Sequence, residues 1–414
     1  MRGDATPPNR AISMGFSHDL MTDWIPDALG AADVTRALAD GTLSAPPQLD
    51  IGWLRVPLAR RTEDIPVVDS TVRAHMHLLV ERSLHRHRPH PEVLSYRSTD
   101  WDYRRAYRAR RDRMHALGRQ TELPLVLKLD IHRFGESLPL HVLLDAPGMT
   151  DTLAQQLTEL HHKTGRSLFP GHRWANRLGT AALHPIDARL TAMAPDRWIR
   201  WGDDWHVFVH DTAEAEHVRA AVKAGLEALG LRLSAEKSTT ESVATVFAGP
   251  ARDVAGNPPE VWRCGIQNND VRALRYALPR IDPEAEVSRR IPGIVRAQPT
   301  LLPRAVYYLD RAVNTPAGHE AVRELLGAAH PDLFAVARLL ALAGRHQEVA
   351  SYVPDSLLAL AADCGIAALR ELAARVAVCT GRRDVLPESS QRLHQWIAQG
   401  ADIRHHPPCV ATLL

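Results

Sequence analysis

The amino-acid sequence predicts an α+β chain: an antiparallel sheet with helices, followed by an all-helical C-terminal domain. Three observations carry this. LPLVLKLDI, residues 123–131, is a nearly unbroken apolar run with the length of a strand buried on both faces. WIRWGDDWHVFV, residues 198–209, holds two strand-like runs about Gly202, Asp203 and Asp204, the pattern of a β-hairpin with two acids at its turn. From about residue 282 strand signals stop, and amphipathic helical patterns follow one another, punctuated by Gly and Pro.

Taken in order, residues 1–48 are rich in Pro, Ala and Asp and read as an N-terminal extension with one short helical pattern. Residues 51–57 read as a strand, followed by the basic turn Arg60-Arg61. Val72, Met76, Leu79 and Val80 recur at helical spacing, with Asp69 or Ser70 as the N-cap. The stretch from Arg82 to Arg113 sets ten arginines against Glu92, Asp100, Asp102 and Asp112, a local charge of +6, with Tyr96, Trp101, Tyr103 and Tyr107 interleaved. Arginines with aromatics offer phosphate contacts and stacking platforms, and equally a solvated helix face with snorkelling stems. Residues 150–164 form an amphipathic helix stopped by Gly165, and 174–193 are helical with a bend near His184-Pro185. Asp211 or Thr212 caps a helix running to Leu229, after which LRLS and SVATVFAG read as strands. Helices are expected around 302–313, 317–328, 331–343, 354–363, 365–380 and 388–399, a stacking that is repeat-like but without a fixed period. The expected domains are therefore 49–281 and 282–414 after the extension.

The 414 residues are 45% hydrophobic and 24% charged, a globular composition that excludes a disordered or fibrous chain. A net charge of +2 excludes a polybasic coat protein and an acidic tail protein, and leaves room for a local basic surface. Cys264, Cys364, Cys379 and Cys409 form no CxxC pair, so neither a disulfide framework nor a zinc site is expected. There is no apolar leader pattern and no apolar run near 18 residues, so the expected setting is cytoplasmic, without membrane contact.

The chemistry points to the acids. Asp130 ends a buried strand, and Asp203 and Asp204 sit at a hairpin tip. The helical residues between them allow the two elements to pair in one antiparallel sheet. Convergent carboxylates repel unless a cation neutralises them. Mg²⁺ prefers such oxygen ligands and combines them with substrate phosphates. A pair of such ions can activate a 3′-hydroxyl and stabilise a leaving pyrophosphate. Alone, Asp203 and Asp204 also suit a solvated turn, and Asp130 a strand-end cap.

The order LKLDIHRFGES, FPGHRWANRLGTAALHPIDARL, RWGDDWHVFV and GLRLSAEKST resembles the palm of reverse transcriptases, over about residues 50–250. It is most similar to the bacterial abortive-infection and defence-associated branches. The resemblance implies reverse-transcriptase-like fingers and palm, with Asp130 and Asp203 as metal-binding acids and Asp204 as the adjacent supporting acid. It makes Phe134 the first aromatic of a D-x-x-x-aromatic-aromatic pattern, and Gly171 the start of the motif under template and nucleotide. It sets Lys237 near the triphosphate, and Arg60 and Arg61 where basic residues grip nucleotide phosphates. Gly135 stands where the family usually carries an aromatic that excludes the ribose 2′-hydroxyl, which leaves space and implies weakened discrimination against ribonucleotides. Trp201-Gly202 replaces the usual aromatic followed by Ala or Val, and the 170–180 segment lacks the common Gln-Gly or Ser-rich form.

The expected activity is RNA-directed DNA synthesis, a nucleotidyl transfer of dNTPs onto a primer 3′-hydroxyl with two Mg²⁺ ions, or Mn²⁺ in their place. Expected partners are an RNA template, the DNA product and a noncoding RNA, in bacterial antiviral defence; an oligomer is compatible with the sequence. Arg97, Arg104, Arg105, Arg108 and Trp205 are the expected nucleic-acid contacts. Tyr307 and Tyr308 are candidates for a priming hydroxyl, with core packing as the alternative. His85, His87 and His90 suit a metal cluster or a solvated basic loop. Two other classes compete: a non-catalytic palm-fold scaffold that binds nucleic acid, and a ferredoxin-like nucleotide cyclase, which has no use for the arginine-rich region.

Overall fold

The computed structural model describes residues 49–57, 62–97, 103–169, 171–248, 257–328 and 332–382. It is a mixed α+β chain, mostly helical, with two small antiparallel sheets and an all-helical C-terminal region. In chain order come strands β1 (Ile51–Pro57) and β2 (Thr62–Val68), and helices α1 (Ser70–Leu84) and α2 (Tyr103–Gly118). Then follow β3 (Leu125–Asp130), α3 (Asp151–Thr164), α4 (Arg173–Ala182), α5 (His184–Met193), β4 (Trp198–Trp201), β5 (Asp204–Val209), α6 (Thr212–Ala228) and β6 (Thr240–Ser242). The long helices after this are α7 (Pro258–Gln267), α8 (Val271–Ala277), α9 (Ala285–Ala297), α10 (Leu302–Ala312), α11 (Pro316–Gly327), α12 (Leu333–Ala343), α13 (Asp355–Asp363) and α14 (Ala367–Thr380). No helix among the described residues is long and apolar enough to cross a membrane.

Contacts divide the described residues into two compact units, one between 76 and 248 and the other formed by those from 49 to 75 with those from 257 to 382. The division falls inside α1, and the β1–β2 hairpin groups with the helical region rather than with β3–β6. The boundary expected at 281/282 thus lies within the second unit. The proposed helix at 388–399, the basic turn Arg60-Arg61 and the N-terminal extension lie outside the described residues.

In the second unit, β1 alternates buried and exposed positions along its length. Its Leu54 and Val56, with Ile65 and Val67 of β2, join one apolar core with helices α7–α14. Asp69 caps α1 by accepting from the Val72 N–H at 2.8 Å. Ser70 donates from both N and Oγ to Glu371 Oε2 of α14, at 2.9 and 2.6 Å. Tyr307 and Tyr308 are buried in this core. The Tyr308 hydroxyl is held by the backbone of Glu284, accepting from its N–H at 2.8 Å. Core packing is therefore the role of these two rings, and a priming hydroxyl is not supported.

In the first unit the sheet order is β4-β5-β3-β6, all antiparallel. Helix α6 packs on β3 and β5 and against α5, with Asp211 as its cap. The expected bend near His184 is a full break at Leu183 between α4 and α5. SVATVFAG departs from expectation. Only Thr240–Ser242 pair with β3, and 243–248 turn helical. The reason is spacing: Val243 and Val246, three apart, both pack on the core of Leu117, Val126, Ile199 and Phe208. LRLS adds only an isolated bridge, Leu233 to Ile131.

The three histidines of the basic loop diverge. His85 Nδ1 meets the Arg82 carbonyl, His87 sits edge-on to His184 at 5.6 Å, and His90 stacks on Trp198 at 4.9 Å. Burial, then His184 and the arginines Arg177, Arg200 and Arg88, push His87 down to about 4. Between its ordinary value and 4 the unfolded chain takes up a proton that the folded one refuses. Stability is therefore lost as pH falls through that window. His87→Gln is expected to make unfolding less acid-sensitive by about 1 kcal/mol between pH 6.5 and 4, after discounting for partial exposure. Melting curves of both proteins across that range check it.

Candidate active site

Strand alternation builds the site. Residues two apart on a strand share a face, so Val126, Lys128 and Asp130 of β3 line one side of the sheet. Register sets Asp130 opposite Asp204, Lys128 opposite His206, and Val126 opposite Phe208. The apolar end of this face packs against Met114 and Leu117 of α2, and the acids occupy its other end. Leu129 and Trp205 form the next pair and face the opposite side.

The β4–β5 connection is a two-residue turn, since Trp201 pairs with Asp204. Gly202 has φ 65, and Asp203 is not among the described residues of positive φ. A positive φ at the first central position is what a type II′ hairpin turn requires, and glycine supplies it without strain. The turn thus presents Asp203 at its tip, next to Asp204 on the ladder.

Three carboxyls and one ammonium meet here. Asp130 is buried, and its Oδ2 accepts from Lys237 Nζ at 3.0 Å. The lysine side chain is 67% exposed against 10% for the aspartate, so the pair joins a buried acid to a largely solvated cation. The Asp130 backbone N–H points to Ser238 Oγ at 3.3 Å, and its carbonyl accepts from Ser234 N–H at 2.8 Å. The segment carrying Lys237 is thereby docked on the end of β3. With both facing carboxyls ionised, Asp130 Oδ1 is buried without a hydrogen-bond partner; a proton on Asp204 would bond to Asp130. Burial, then the Asp130 charge, push Asp203 up to about 6. Burial, the bond to Asp130 and the charges of Asp203 and Asp130 push Asp204 up as well. Burial lowers Lys237, but its bond to Asp130 and the charges of the three acids outweigh this and raise it.

This is a surplus of negative charge on one buried and two half-buried carboxyls that one lysine answers only in part, and a cation would relieve it. Among the described residues no group of three or more His, Cys, Asp or Glu is arranged to hold a metal ion. A preassembled cage is not what Mg²⁺ needs: it binds through one or two carboxylates and completes its shell with water and substrate phosphates. The donor chemistry of Asp130, Asp203 and Asp204 and the orphaned Asp130 oxygen fit such an ion.

The remaining sequence-assigned residues fall as follows. Phe134 is half-buried, and its ring lies against Gly179 of α4, where an added Cβ would stand 2.8 Å from it. Gly135 follows it in a short helix, Phe134–Ser137. Gly171, at φ 82, precedes α4. Arg97, Arg105 and Arg108 are exposed, Arg104 lies on α2, and Arg60 and Arg61 are outside the described residues. Trp205 is fully buried on the face away from the acids, which removes it as a nucleic-acid contact. Alternation instead leaves Trp201 on the acid face, partly exposed, edge-on to Tyr107 at 5.9 Å and with Arg110 at 5.6 Å from its ring centre.

Sequence reasoning missed a buried network beneath the turn. Arg200 donates to both carboxylate oxygens of Asp187, at 2.8 and 2.7 Å, and to the carbonyls of Gly202 at 2.8 Å and Thr180 at 3.1 Å. Trp205 Nε1 donates to Asp187 Oδ1 at 3.1 Å. The signal was legible: Arg200 in an otherwise apolar strand and Asp187 in the apolar stripe of a helix each demand a partner. A search of family models matches none to this chain, and no curated protein matches it.

Proposed function

We propose that the chain is a template-directed nucleotidyltransferase of the reverse-transcriptase kind, with fingers-and-palm architecture, extending a primer along an RNA template with dNTPs. The observation that supports this most is the antiparallel pairing of Asp130 with Asp204 beside a glycine turn that carries Asp203. In this reading Asp130 and Asp203 hold the Mg²⁺ ions, and Asp204 completes the acidic centre. Bound divalent cations would supply charge stabilisation at the reacting phosphate and a lowered pKa at the attacking hydroxyl. The primer 3′-oxygen forms a bond to the α-phosphorus, the bond to pyrophosphate breaks, and the hydroxyl proton leaves to solvent. Lys237, released from Asp130, would face the pyrophosphate as a point charge. Arg105 and Arg108 of α2, exposed, suit contact with nucleic-acid phosphates.

The test is incorporation of dNTPs by the purified chain on a primed RNA template with Mg²⁺. Metal-dependent extension that is lost in the double variant Asp203→Ala/Asp204→Ala supports the reading; extension that survives the double variant, or no extension in Mg²⁺ or Mn²⁺, sinks it. The second reading is a palm-fold scaffold without catalysis. Gly135 and the 170–180 segment, both departures from the family pattern, favour it, and tight nucleic-acid binding without extension would establish it. Bacterial antiviral defence with a noncoding RNA is the setting that the resemblance implies; sequencing nucleic acid that co-purifies with the chain reads template and product together.

Gly135 carries a further expectation within this reading. Ribonucleotide incorporation should lie within about 10²-fold of deoxyribonucleotide incorporation, and Gly135→Phe should widen the gap, since one packed contact discriminates by about 1–3 kcal/mol. Strict dNTP selectivity unchanged by Gly135→Phe would count against it.

A further inference from the structure

The turn that presents Asp203 is held at the two peptide planes that flank Gly202. The Gly202 N–H donates to Ser95 Oγ at 2.6 Å, and the Gly202 carbonyl accepts from the Arg200 guanidinium at 2.8 Å. Ser95 is itself fully buried, on a segment bridged to β4 through Val93 and Arg200. Arg200 cannot swing: Asp187 grips it in a two-point fork, the Thr180 carbonyl takes a further N–H, and Trp205 bonds to the same carboxylate. Its side chain is 0% exposed and that of Asp187 2%. A fork of this kind fixes direction as well as distance. The Gly202 carbonyl belongs to the peptide that leads into Asp203. The anchors therefore fix the plane from which the Asp203 side chain departs, where a two-residue turn would otherwise rock.

We propose that Ser95, Arg200 and Asp187 are positioning residues for the acidic centre, setting the Asp203 carboxylate relative to Asp130 so that the two can share divalent cations. Arg200 and Asp187 lie on the face away from the acids, and Ser95 bonds to the turn backbone. Arg200 acts from the opposite side of the sheet through the turn backbone, where its guanidinium holds the Gly202 carbonyl. The inference rests on the nucleotidyl-transfer reading and deepens it. Outer partners of this kind typically shift metal affinity or activity by 10–100-fold.

Three variants test it: Ser95→Ala, Asp187→Asn and Arg200→Lys, each in the full-length chain. Calorimetric titration with Mn²⁺ reads metal binding directly, with nucleotide present and primer absent. Hydrogen exchange of the peptide covering 198–209 reads turn order, and primer extension reads the Mg²⁺ requirement. The expected result is about tenfold weaker Mn²⁺ binding in Ser95→Ala, about tenfold more Mg²⁺ for half-maximal extension, a dNTP KM within twofold, and faster exchange at the turn. Excess Mg²⁺ should restore most of kcat. Should Arg200→Lys or Asp187→Asn fail to fold, Ser95→Ala alone decides. Unchanged Mn²⁺ binding and Mg²⁺ requirement, with only a lower melting temperature, would overturn the inference and leave a structural role. A wild-type chain that neither binds Mn²⁺ nor extends a primer would instead overturn the nucleotidyl-transfer reading itself, and this inference with it.

Discussion

Asp130→Asn and Asp203→Asn are each expected to lower dNTP incorporation by at least about 10³-fold at saturating Mg²⁺ and nucleotide. The amide keeps the shape of the carboxyl and removes the charge that holds a divalent cation. The loss of several kcal/mol of transition-state stabilisation corresponds to a rate factor of that size. Asp130 should be the more sensitive of the two. It is buried at the end of a central strand, its carboxylate faces Asp204, and Lys237 already sits on one of its oxygens. Lys237→Gln removes only a side chain that is 67% exposed at this site, so a smaller loss, about 10–10²-fold, is expected there. Single-turnover extension reads all three, with primer–template affinity measured separately to confirm that binding persists. An Asp130→Asn protein within tenfold of wild type would remove the acid from the centre.

The second large effect concerns stability. Asp187→Ala is expected to destabilise the unit that carries the sheet by about 3–5 kcal/mol. The Arg200 guanidinium would remain in place, fully buried, with its two charged bonds gone and the Trp205 N–H unpaired. That is the costly case for a buried pair: removing one partner strands the other. For a unit of this size the loss lowers the melting temperature by about 10 °C. Asp187→Asn should cost less, because an amide still accepts one N–H. Urea unfolding followed by tryptophan fluorescence reports on this unit, since Trp174, Trp198 and Trp205 are buried in it. A cost below about 1 kcal/mol would mean that Arg200 finds water or another acceptor, and that the network is not dry.

Much of the architecture was legible from local pattern. The helices at 151–164 and 212–228, and those from 302 to 380, follow apolar spacing closed by capping residues and glycines, and they end where those signals end. A buried strand ending at Asp130 and an acidic turn at Asp203 and Asp204 are each recognisable alone, but not which of the two turn acids pairs with Asp130. Two elements differ from the local pattern, each for its own reason. SVATVFAG carries β-branched residues that suit either state, and packing of Val243 with Val246 decides for helix. The strand at 62–68 carries no strand signal of its own, because Pro66 and two acids mask a pattern that only pairing with 51–57 completes. Trp205 next to the acids looked like a nucleic-acid contact, yet neighbours on a strand face opposite ways. The partly exposed ring on the acid face is Trp201.

By itself the sequence determined the α+β class and the helical C-terminal region, and it marked the three acids as the candidate site, because periodicity and turn chemistry are local properties. The tertiary structure decided which acid faces which, that Lys237 sits on Asp130, and that Arg200 and Asp187 form one dry network under the turn. It also decided that the 51–68 hairpin shares its core with helices some 200 or more residues away in sequence. The physical reason is common to all of these. A buried charge or an apolar strand face announces in the sequence that it needs a partner, but partner choice depends on register and packing between segments far apart in the chain, and only the folded chain brings those together.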